Sequence, residues 1–432
     1  MAAISRWRDP HVKHGKGLYR EHPVRPVTVD PIESFGLSSQ PVGQDQAEAD
    51  RLRLGYAAFW EPVPQRTLSG VAWNLREQLR SIADVRDIGV EFSSLSRTAF
   101  KAAHTRYRAG RFTTTWSYSR ITDAYVASAL RRGTKAATTS HELDAVLMVD
   151  TLTRVPEPYF VYYDSSWDGL IAAFEAPEHY AAMRKLRPAH MMRRRDHQVA
   201  VYQGATGIIA ESHWLARCLT EQSGLPPEKI HVVHPAGVIK AGTATAAARN
   251  SGGPRRDLLC VSRMRTLTGF YRKGMDLLVD AVGVLRREYD PQITLTVAGM
   301  EKWLMPGDPP EGVNLVGVVS PAEVTKLYQT HDVFVMPSRM EPFGLVFAEA
   351  LARGMPVVAR NAYAMPEIVT PGVSGALIDK DDPHELAAAI AGVLADDDIY
   401  LQCAARAPSI AEYFSWERAA REVVDIIATA VK

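Results

Sequence analysis

Three features that mark other protein classes are scarce in this sequence: excess charge of one sign, cysteine and long apolar runs. Its 50 Lys and Arg residues nearly balance 49 Asp and Glu residues, giving a net charge of +1. This argues against a nucleic-acid partner, since domains that bind nucleic acid are usually strongly basic. The cysteines, Cys218, Cys260 and Cys403, are far apart and lack metal-ligand spacing. Their apolar surroundings predict buried free thiols in a reducing compartment.

The sequence also lacks any run of 18 uninterrupted apolar residues, so it predicts no membrane-spanning helix. The first residues, MAAISRWRDPHVKHGKGLYREHP, are polar and charged, without the apolar core of a signal peptide. We therefore expect a cytoplasmic protein. A basic stretch, Arg184 to His197, allows two interpretations. It is either a solvated helix face, the simpler interpretation, or a contact with a phosphate-bearing acceptor or the inner membrane face.

The alternation of apolar segments predicts an α/β protein with two doubly wound, Rossmann-like domains facing a central cleft. Residues 1–50, rich in Pro, Asp, Gln and Ser, are expected to form an extended N-terminal segment. The first domain covers 51–240, and a small, flexible linker follows at 241–257. The second domain covers 258–413, and 414–432 form a final helix. In such sheets, ligands bind at the carboxyl ends of the strands.

Six short apolar runs are the predicted strands of the first domain. They are RLRLGYAAF from Arg51, DIGVEF from Asp87, AVLMVD from Ala145, YFVYYD from Tyr159, GIIAES from Gly207 and IHVVHP from Ile230. No G-x-G-x-x-G pattern leads from a strand into a helix, which disfavours a nicotinamide dehydrogenase.

The most informative segment is VFVMPSRMEPFGLVFAEALARGMPVVAR, from Val333 to Arg360. It predicts a buried strand, a loop broken by Pro and Gly, and a helix that begins near Phe343, Gly344 and Leu345. Free N–H groups at a helix start bind phosphate, assisted by the helix dipole. Gly344 lacks a Cβ, so a ligand could approach the backbone closely. The segment therefore predicts a diphosphate site.

Two glutamates bracket this corner. Glu349 lies about 6–8 Å further along the helix, where a carboxylate can accept both hydroxyls of a ribose. Glu341 lies on the other side of the loop, where a sugar beyond the β-phosphate would sit. Either residue alone is better explained as an ordinary solvated Glu, but their combination with this loop and strand favours a binding site. The next loop, NAYAMPEIV from Asn361 to Val369, is expected beside the same cleft.

The E-x7-E pattern EPFGLVFAE, flanked by HDVFVMPS, GMPVVA, MPEIV and GVSGALI, resembles glycosyltransferase family 4, whose members have the GT-B fold. The resemblance is strong from about Leu258 onward and weaker over Gly204 to Val238. It implies transfer of a sugar from a nucleoside diphosphate to an acceptor hydroxyl with retention of configuration. It also implies no metal or other cofactor, with the leaving phosphate serving as the base on the same face. The nucleotide base, the sugar and the acceptor (a sugar, a lipid-linked sugar or a natural product) stay open.

The resemblance also assigns roles to individual residues. Glu349 would bind the ribose, and Glu341 the hydroxyls of the donor sugar. Two cations would stabilise the charge that grows on the leaving diphosphate. These map to Arg263 and Lys273, with Arg272 able to replace or supplement Arg263 because MRTLTGFYR lengthens their usual spacing. The remaining donor contacts would be backbone groups of Phe343, Gly344 and Leu345, and of Val318 to Ser320 near the base.

The acceptor side is less specific. The glycine-rich loop of the family, which approaches the donor phosphates, maps to TLSGVAW, with Gly70 at a helix start, but a plain helix boundary also explains it. Asp164, at the end of YFVYYD, stands where many relatives have a His. It would bind the donor sugar or help to accept the acceptor's proton, or else cap a helix. The final helix, from Phe414-Ser415-Trp416, resembles the family's crossover onto the first domain.

Three alternative functions share this fold. A sugar-nucleotide epimerase would act without an acceptor, and a phosphorylase would need a lysine for a pyridoxal cofactor. An inactive partner subunit is the third; intact Glu341, Glu349 and Lys273 argue against it.

Overall fold

The computed structural model describes residues 51–108, 111–140, 142–150, 152–173, 188–237 and 253–431. The predicted N-terminal segment 1–50 and most of the predicted linker 241–257 lie outside these residues. The described chain is built on two six-stranded parallel sheets, each from one half of the sequence. The α/β prediction with two doubly wound domains is therefore confirmed.

The first sheet has the strand order β2-β1-β5-β6-β7-β8. Its strands are β1 (Arg53–Ala58), β2 (Asp84–Asp87), β5 (Ala145–Val149), β6 (Tyr159–Tyr163), β7 (Gly207–Ala210) and β8 (Ile230–Val232), and a separate hairpin pairs β3 (Thr105–Arg108) with β4 (Arg111–Thr114). The helices are α1 (Val71–Ile82), α2 (Ser94–Ala103), α3 (Arg120–Ser140), α4 (Trp167–Ala173), α5 (Pro188–Gly204) and α6 (His213–Arg217). Every residue of β5 and β7 is buried, as expected for parallel strands covered on both faces.

One predicted strand is misplaced. The run from Asp87 was expected to be a strand, but β2 ends at Asp87, and a single bridge between Phe59 and Val90 follows. The Trp60 ring lies over Gly89, where a Cβ would come within 2.3 Å of its Nε1. That nitrogen also donates to Asp87 Oδ1 at 3.1 Å. Backbone pairing with β1 still continues past Asp87, since the Ile88 and Val90 N–H groups donate to the Tyr56 and Ala58 carbonyl oxygens at 2.9 and 2.8 Å. The strand therefore begins earlier than predicted, in the polar run from Asp84.

The second sheet has the strand order β11-β10-β9-β12-β13-β14. Its strands are β9 (Asp257–Val261), β10 (Thr294–Ala298), β11 (Val313–Gly317), β12 (Val333–Val335), β13 (Val357–Arg360) and β14 (Gly375–Ile378). The helices are α7 (Leu267–Arg272), α8 (Met275–Glu288), α9 (Pro321–Thr330), α10 (Leu345–Leu351), α11 (Met365–Ile368), α12 (Pro383–Ala395), α13 (Asp397–Tyr413) and α14 (Trp416–Val431). In both sheets the order reverses beside the first strand, where doubly wound folds bind ligands.

Helix α14 belongs to the second half of the sequence but packs on the first sheet. Its buried face includes Trp416, Val423 and Ile427, which share one apolar core with Leu75 and Leu79 of α1. The chain therefore crosses between the two sheets twice, once after β8 and once before α14.

The three cysteines are buried and unbridged, as predicted. No helix in the described part of the chain is both long enough and apolar enough to span a membrane.

Candidate active site

The loop between β12 and α10 carries Glu341. Gly344 ends this loop with φ of 97°, a left-handed conformation that favours glycine. A Cβ at Gly344 would lie 2.5 Å from the Phe347 ring and 3.0 Å from Glu341 Cγ. Glu341 is largely buried, and Ser338 Oγ donates to its Oε2 at 3.4 Å. Close packing around a residue without a side chain thus fixes the Glu341 carboxylate at the carboxyl edge of the sheet.

Lys273 is held against the same carboxylate. It follows α7, a helix capped by Thr266, and its Nζ forms an ion pair with Glu341 Oε2. Gly274 has φ of 67°, and a Cβ there would come within 2.2 Å of the Pro337 carbonyl oxygen. Helix α7 contains most of the residues that lengthen the spacing between the predicted cations. This extra helix delivers Lys273 directly to Glu341.

The other two predicted cations are positioned differently. Arg263 follows β9, is exposed, and has no side-chain hydrogen bond or ion pair within the described residues. The backbone beside it is crowded, since a Cβ at Gly299 would lie 2.4 Å from the Ser262 carbonyl oxygen. Arg272 ends α7, and its carbonyl oxygen accepts a hydrogen bond from the Arg339 N–H at 2.9 Å. Arg263 is therefore at the strand edge with its guanidinium accessible to a ligand.

Arg339 is a structural residue that the sequence did not single out. Its guanidinium donates to Asp276 Oδ1 at 2.6 Å and Oδ2 at 2.9 Å, to Asp381 at 2.7 Å and to the Tyr271 carbonyl at 2.7 Å. Burial lowers its pKa, but the bonds to the two aspartates outweigh this, and the net pKa is raised. Arg339 therefore anchors the start of the loop that carries Glu341. In the sequence, Arg339 directly follows the apolar run VFVMPS, and this position was the signal that could have identified it.

Glu349 lies on α10 and faces the first domain. Tyr328, on α9, donates its hydroxyl hydrogen to Glu349 Oε2 at 3.3 Å. A Cβ at Gly237 would lie 2.9 Å from Glu349 Cγ, so this glycine lets the backbone of the first domain approach the glutamate. Arg353, one turn later, donates to the Glu349 carbonyl oxygen at 3.2 Å. The hydrogen bond from Tyr328 thus orients the Glu349 carboxylate, which borders the space between the two sheets.

The remaining predicted donor contacts lie along the same edge. Phe343 is buried, and Leu345 is partly buried against the core of the first domain. Val318 follows β11 and is 52% exposed. Ser320 then caps α9, and Glu323 completes a capping box with it. The structure therefore places Arg263 and Val318 just after β9 and β11, and Phe343, Gly344 and Leu345 where β12 leads into α10. Gly70, which was also predicted to contact the donor, lies before α1 of the first domain.

Three acidic residues stand at neighbouring strand ends on the opposite face. Asp150 follows β5, Asp164 follows β6 and Glu211 follows β7. Burial, together with the negative charges of Asp150 and Glu341, raises the pKa of Asp164 to about 6, although Ser165 donates a hydrogen bond that opposes the shift. Burial and the Asp164 charge raise the pKa of Glu211 well above its usual value. The influence of Glu341 on Asp164 shows that the two sheets present carboxylates to each other.

Asp150 and Glu211 were missed in the sequence. Three of the predicted strand runs are AVLMVD, YFVYYD and GIIAES, and each has an acidic residue at or next to its last position. In adjacent parallel strands such residues must converge at one edge, which was the signal available. Asp150 also has φ of 81°, a strained conformation for a residue other than glycine.

The predicted glycine-rich loop has an unusual backbone conformation. Leu68, Ser69 and Gly70 all have positive φ, at 48°, 59° and 98°. Gly70 is the residue before α1, and its carbonyl oxygen accepts a hydrogen bond from Asn74 at 2.9 Å. An ordinary helix boundary does not require three consecutive left-handed residues. Strain of this kind concentrates at ligand sites, so the backbone favours the functional interpretation of Gly70.

A cavity of about 280 Å³ opens beside the acidic strand ends. Its lining includes Asp150, Tyr163, Ser165, Arg194 and Gln198. The lining also contains apolar side chains such as Phe59 and Trp167, and its polar groups offer both donors and acceptors of hydrogen bonds, as a site for a hydroxylated molecule requires.

The basic stretch predicted from Arg184 to His197 begins outside the described residues and continues into α5. There its arginines form internal ion pairs. Arg193 and Arg194 both contact Asp123, at 2.5 and 2.7 Å, and Arg195 contacts Asp168 at 2.9 Å. These side chains are 14–30% exposed. The described part of the stretch is therefore neither a fully solvated face nor a free cationic surface.

The loop after β13 reaches the first domain, as its predicted place beside the cleft requires. Glu367 accepts hydrogen bonds from the backbone N–H groups of His213 at 2.8 Å and Trp214 at 2.6 Å. The rings of Trp214 and Tyr363 are 5.0 Å apart. The two sheets are thus connected on one side of the cleft by a carboxylate that caps α6.

Comparison with known proteins agrees with this arrangement. Residues 248–409 match the family model described as glycosyl transferases group 1. The chain is 29% identical over 248 residues to the D-inositol 3-phosphate glycosyltransferase of Thermobispora bispora, covering 53% of this chain and 57% of that protein. It is 33% identical over 239 residues to the glycogen synthase of Mycobacterium tuberculosis, covering 52% and 56%. The matched region therefore spans little more than half the length of these relatives.

Solved structures match over most of the chain. The sucrose-phosphate synthase from Thermosynechococcus elongatus superposes with a TM-score of 0.63 at 18% identity, covering 87% of this chain and 98% of that one. Anabaena HepE, crystallised with UDP and glucose, gives a TM-score of 0.58 at 18% identity, covering 87% and 100%. At such low identity the likeness concerns the fold. The chain has the GT-B fold, and its residues 248–409 match the model of the group 1 glycosyl transferases.

Proposed function

We propose that this protein is a retaining glycosyltransferase that moves a sugar from a nucleoside diphosphate to an acceptor hydroxyl. The observation that carries the proposal is the pairing of Lys273 with Glu341, opposite Asp164 across the cleft. This constellation places a cation for phosphate, a carboxylate for sugar hydroxyls and an acid–base group around one space. The family match of the second domain and the transferase and synthase names of its relatives favour transfer over epimerisation.

The donor would lie along the edge of the second sheet. Its ribose hydroxyls would donate to Glu349, whose carboxylate is oriented by Tyr328. Its diphosphate would lie at Gly344, where the missing Cβ permits close approach, between Lys273 and Arg263. The Lys273 ammonium has three N–H donors, so it can contact Glu341 and a phosphate oxygen together.

The chemical demand of the reaction is charge on the leaving diphosphate. Two fixed cations, Lys273 and Arg263, would stabilise that charge without a metal ion. Glu341 would keep the Lys273 side chain in position and bind the hydroxyls of the sugar that is transferred. As the bond from the anomeric carbon to the phosphate oxygen breaks, the acceptor oxygen would attack from the same face. Asp164 would help to take the proton from the acceptor hydroxyl, and that proton would end on the leaving phosphate.

The acceptor would bind on the first domain. The cavity of about 280 Å³ beside Asp150 and Ser165 is suited in size to a sugar-like acceptor or part of a larger one. With its pKa raised to about 6, Asp164 would be mostly ionised at neutral pH and able to accept a hydrogen bond from a hydroxyl. Closure of the two sheets over the donor would exclude water and limit its hydrolysis.

A thermal-shift screen tests the donor half directly. UDP, GDP, ADP and their sugars are added to the full chain, and we expect one nucleotide series to raise the unfolding temperature. The stabilising donor is then incubated with candidate acceptors, and the anomeric configuration of the product is read by NMR. No stabilisation by any nucleotide would contradict the donor site. Conversion of the donor without an acceptor into an epimeric sugar nucleotide would support the epimerase instead.

A matched pair of variants tests the assignment of Glu341. Glu341→Gln removes the charge that holds Lys273, and we expect slower transfer with a smaller change in nucleotide affinity. Glu311→Gln, which alters an exposed glutamate paired with Arg286, should leave both quantities unchanged. If Glu341→Gln has the same transfer rate and nucleotide affinity as Glu311→Gln, Glu341 is not part of the site.

A further inference from the structure

Two histidines and a glutamate meet where the domains join. His213 begins α6 and His234 follows β8, both in the first domain, whereas Glu367 lies in α11 of the second. One ligand atom from each lies within 4.8 Å of the other two. His234 Nε2 is 3.2 Å from Glu367 Oε2. Neither histidine belongs to the donor or acceptor residues described above.

We propose that His213, His234 and Glu367 form a zinc site that links the two domains. Two imidazole nitrogens and one carboxylate are a common ligand set for zinc, with water as the fourth ligand. Magnesium and calcium prefer sites made largely of oxygen, so this set disfavours them. The proposal goes beyond the transferase function and does not rest on it.

The carboxylate ligand is already oriented. Glu367 accepts backbone hydrogen bonds from His213 at 2.8 Å and from Trp214 at 2.6 Å. Each carboxylate oxygen has two lone pairs, so Oε2 can accept from one N–H and still coordinate a metal ion. The backbone N–H groups thus act as the outer hydrogen-bonding partners that metal-binding carboxylates usually have.

His234, the buried histidine of the cluster, is oriented as well. Its Nδ1 lies 2.9 Å from the Tyr413 hydroxyl. Its ring packs against Phe343, with centroids 5.5 Å apart, and against Phe414, at 6.2 Å. With zinc on Nε2, Nδ1 would carry the proton and donate a hydrogen bond to the Tyr413 hydroxyl oxygen, an arrangement typical of ligating histidines. A neutral His234 would change tautomer through solvent, and a protonated one would release a proton; no electron is transferred.

His213 supplies the open side of the site. Its side chain is exposed, so it can adjust its position and leave a coordination position for water. Its ring is 5.7 Å from that of His234, in an edge-on arrangement. The exposed histidine is also a safe position to mutate, because its contact with Glu367 in the fold is made by the backbone.

The position of the cluster gives zinc a structural consequence. Its ligands come from both domains, and Tyr413 and Phe414 belong to the crossover before α14. Phe343, which contacts His234, lies two residues after Glu341. Bound zinc would therefore fix the domains in one relative position and restrain the loop that carries Glu341. We expect zinc to raise the unfolding temperature and to slow any reaction that needs domain motion.

The test is a metal titration of the full chain, prepared without a histidine tag and treated with a chelator. Calorimetry with Zn²⁺ should show one saturable site, and Co²⁺ should give the visible absorption of a nitrogen- and oxygen-ligated ion. His213→Ala and Glu367→Gln should each weaken Zn²⁺ at least about tenfold, and Tyr413→Phe by about tenfold. The matched control is His384→Ala, which removes an exposed histidine 3.9 Å from Glu288 that lacks a third ligand.

The outcomes separate clearly. One-site binding that is lost in His213→Ala and kept in His384→Ala supports the site. Absence of saturable Zn²⁺ binding to the unmutated chain overturns it, as does equal affinity in the two histidine variants. Circular dichroism confirms that His213→Ala is folded. No sugar nucleotide is needed, so failure of the transferase proposal would leave this result intact.

Discussion

The two faces of the cleft hold their charged groups in opposite ways. On the second domain, the Glu341 carboxylate is paired with Lys273. On the first domain, Asp150, Asp164 and Glu211 converge at neighbouring strand ends, and the pKa of the latter two is raised. A face with a fixed cation favours an anionic ligand, whereas carboxyl groups with raised pKa favour proton exchange. The comparison divides the proposed reaction into a binding half and a proton-handling half.

The largest effect should come from Lys273→Ala. It removes the buried cation of the binding half, and we expect kcat to fall by about 10²–10³ because charge on the leaving diphosphate is no longer stabilised. Lys326→Ala, on the exposed side of α9, is the control and should leave kcat unchanged. Steady-state kinetics with saturating donor measures the difference. Full activity in Lys273→Ala would show that the phosphates bind elsewhere.

Glu349→Gln should have an intermediate effect, confined to affinity. The amide keeps an acceptor for the Tyr328 hydroxyl but loses the charge that strengthens a bond from a ribose hydroxyl. We expect the Kd of the nucleoside diphosphate to rise about tenfold, by calorimetry. Glu311→Gln again serves as the control. If kcat falls while Kd is unchanged, Glu349 acts in the chemical step and the division of roles is wrong.

Asp164→Asn tests the proton-handling half of the proposed reaction through the pH dependence of kcat/KM. With a pKa of about 6, an essential Asp164 carboxylate predicts that kcat/KM rises with pH through about 6 and then levels off. Asp164→Asn should lower the plateau by about tenfold or more and remove this rise. A pH profile unchanged in the variant would exclude ionisation of Asp164 as its origin.

Asp164→Asn, which is expected to lower activity, is expected to raise stability. Because the pKa of Asp164 is raised in the folded state, the folded chain binds the proton more tightly than the unfolded chain. The free energy of unfolding therefore falls as the pH rises from about 4 to about 6, by roughly 3 kcal/mol at most. Above that window, Asp164→Asn should be more stable than the unmutated chain. Urea denaturation at pH 5 and pH 7.5 measures this, with Asp168→Asn, whose Asp168 pairs with Arg195, expected to lose stability instead.

How much the sequence revealed differs between the two faces for a physical reason. In the binding half, Glu341, Gly344 and Glu349 follow one another along a single strand, loop and helix, so they were predicted from spacing alone. Arg263 and Lys273 lie elsewhere in the chain and were predicted by resemblance. The acidic groups of the first domain come from three separate strands, and strand order is decided by long-range packing. Asp164 was therefore predicted only by resemblance, and Asp150 and Glu211 were missed.

The fold shows the same limit. Strands with long apolar runs were predicted correctly, because burial on both faces leaves a clear pattern. The strand expected from Asp87 was misplaced because β2 is a largely polar run, Asp84–Asp87, whose pairing with β1 leaves no apolar pattern in the sequence. The Glu367 contact with α6 was also invisible, since it joins residues more than 150 positions apart. Such contacts depend on how the sheets pack.

The smallest effect should come from Glu211→Gln, which tests whether Glu211 exchanges protons together with Asp164. Burial, followed by the charge of Asp164, raises the pKa of Glu211 well above its usual value, so this carboxyl keeps its proton to higher pH than an exposed glutamate does. A glutamine has the size and polarity of the protonated form. At pH 7 the variant should therefore keep its kcat and its stability to within about 0.5 kcal/mol. At higher pH it should become the more stable of the two, because ionisation of a buried carboxyl costs stability. A large loss of activity at pH 7 would mean that Glu211 is ionised, and the proton-handling half would then extend across β7 as well as β6.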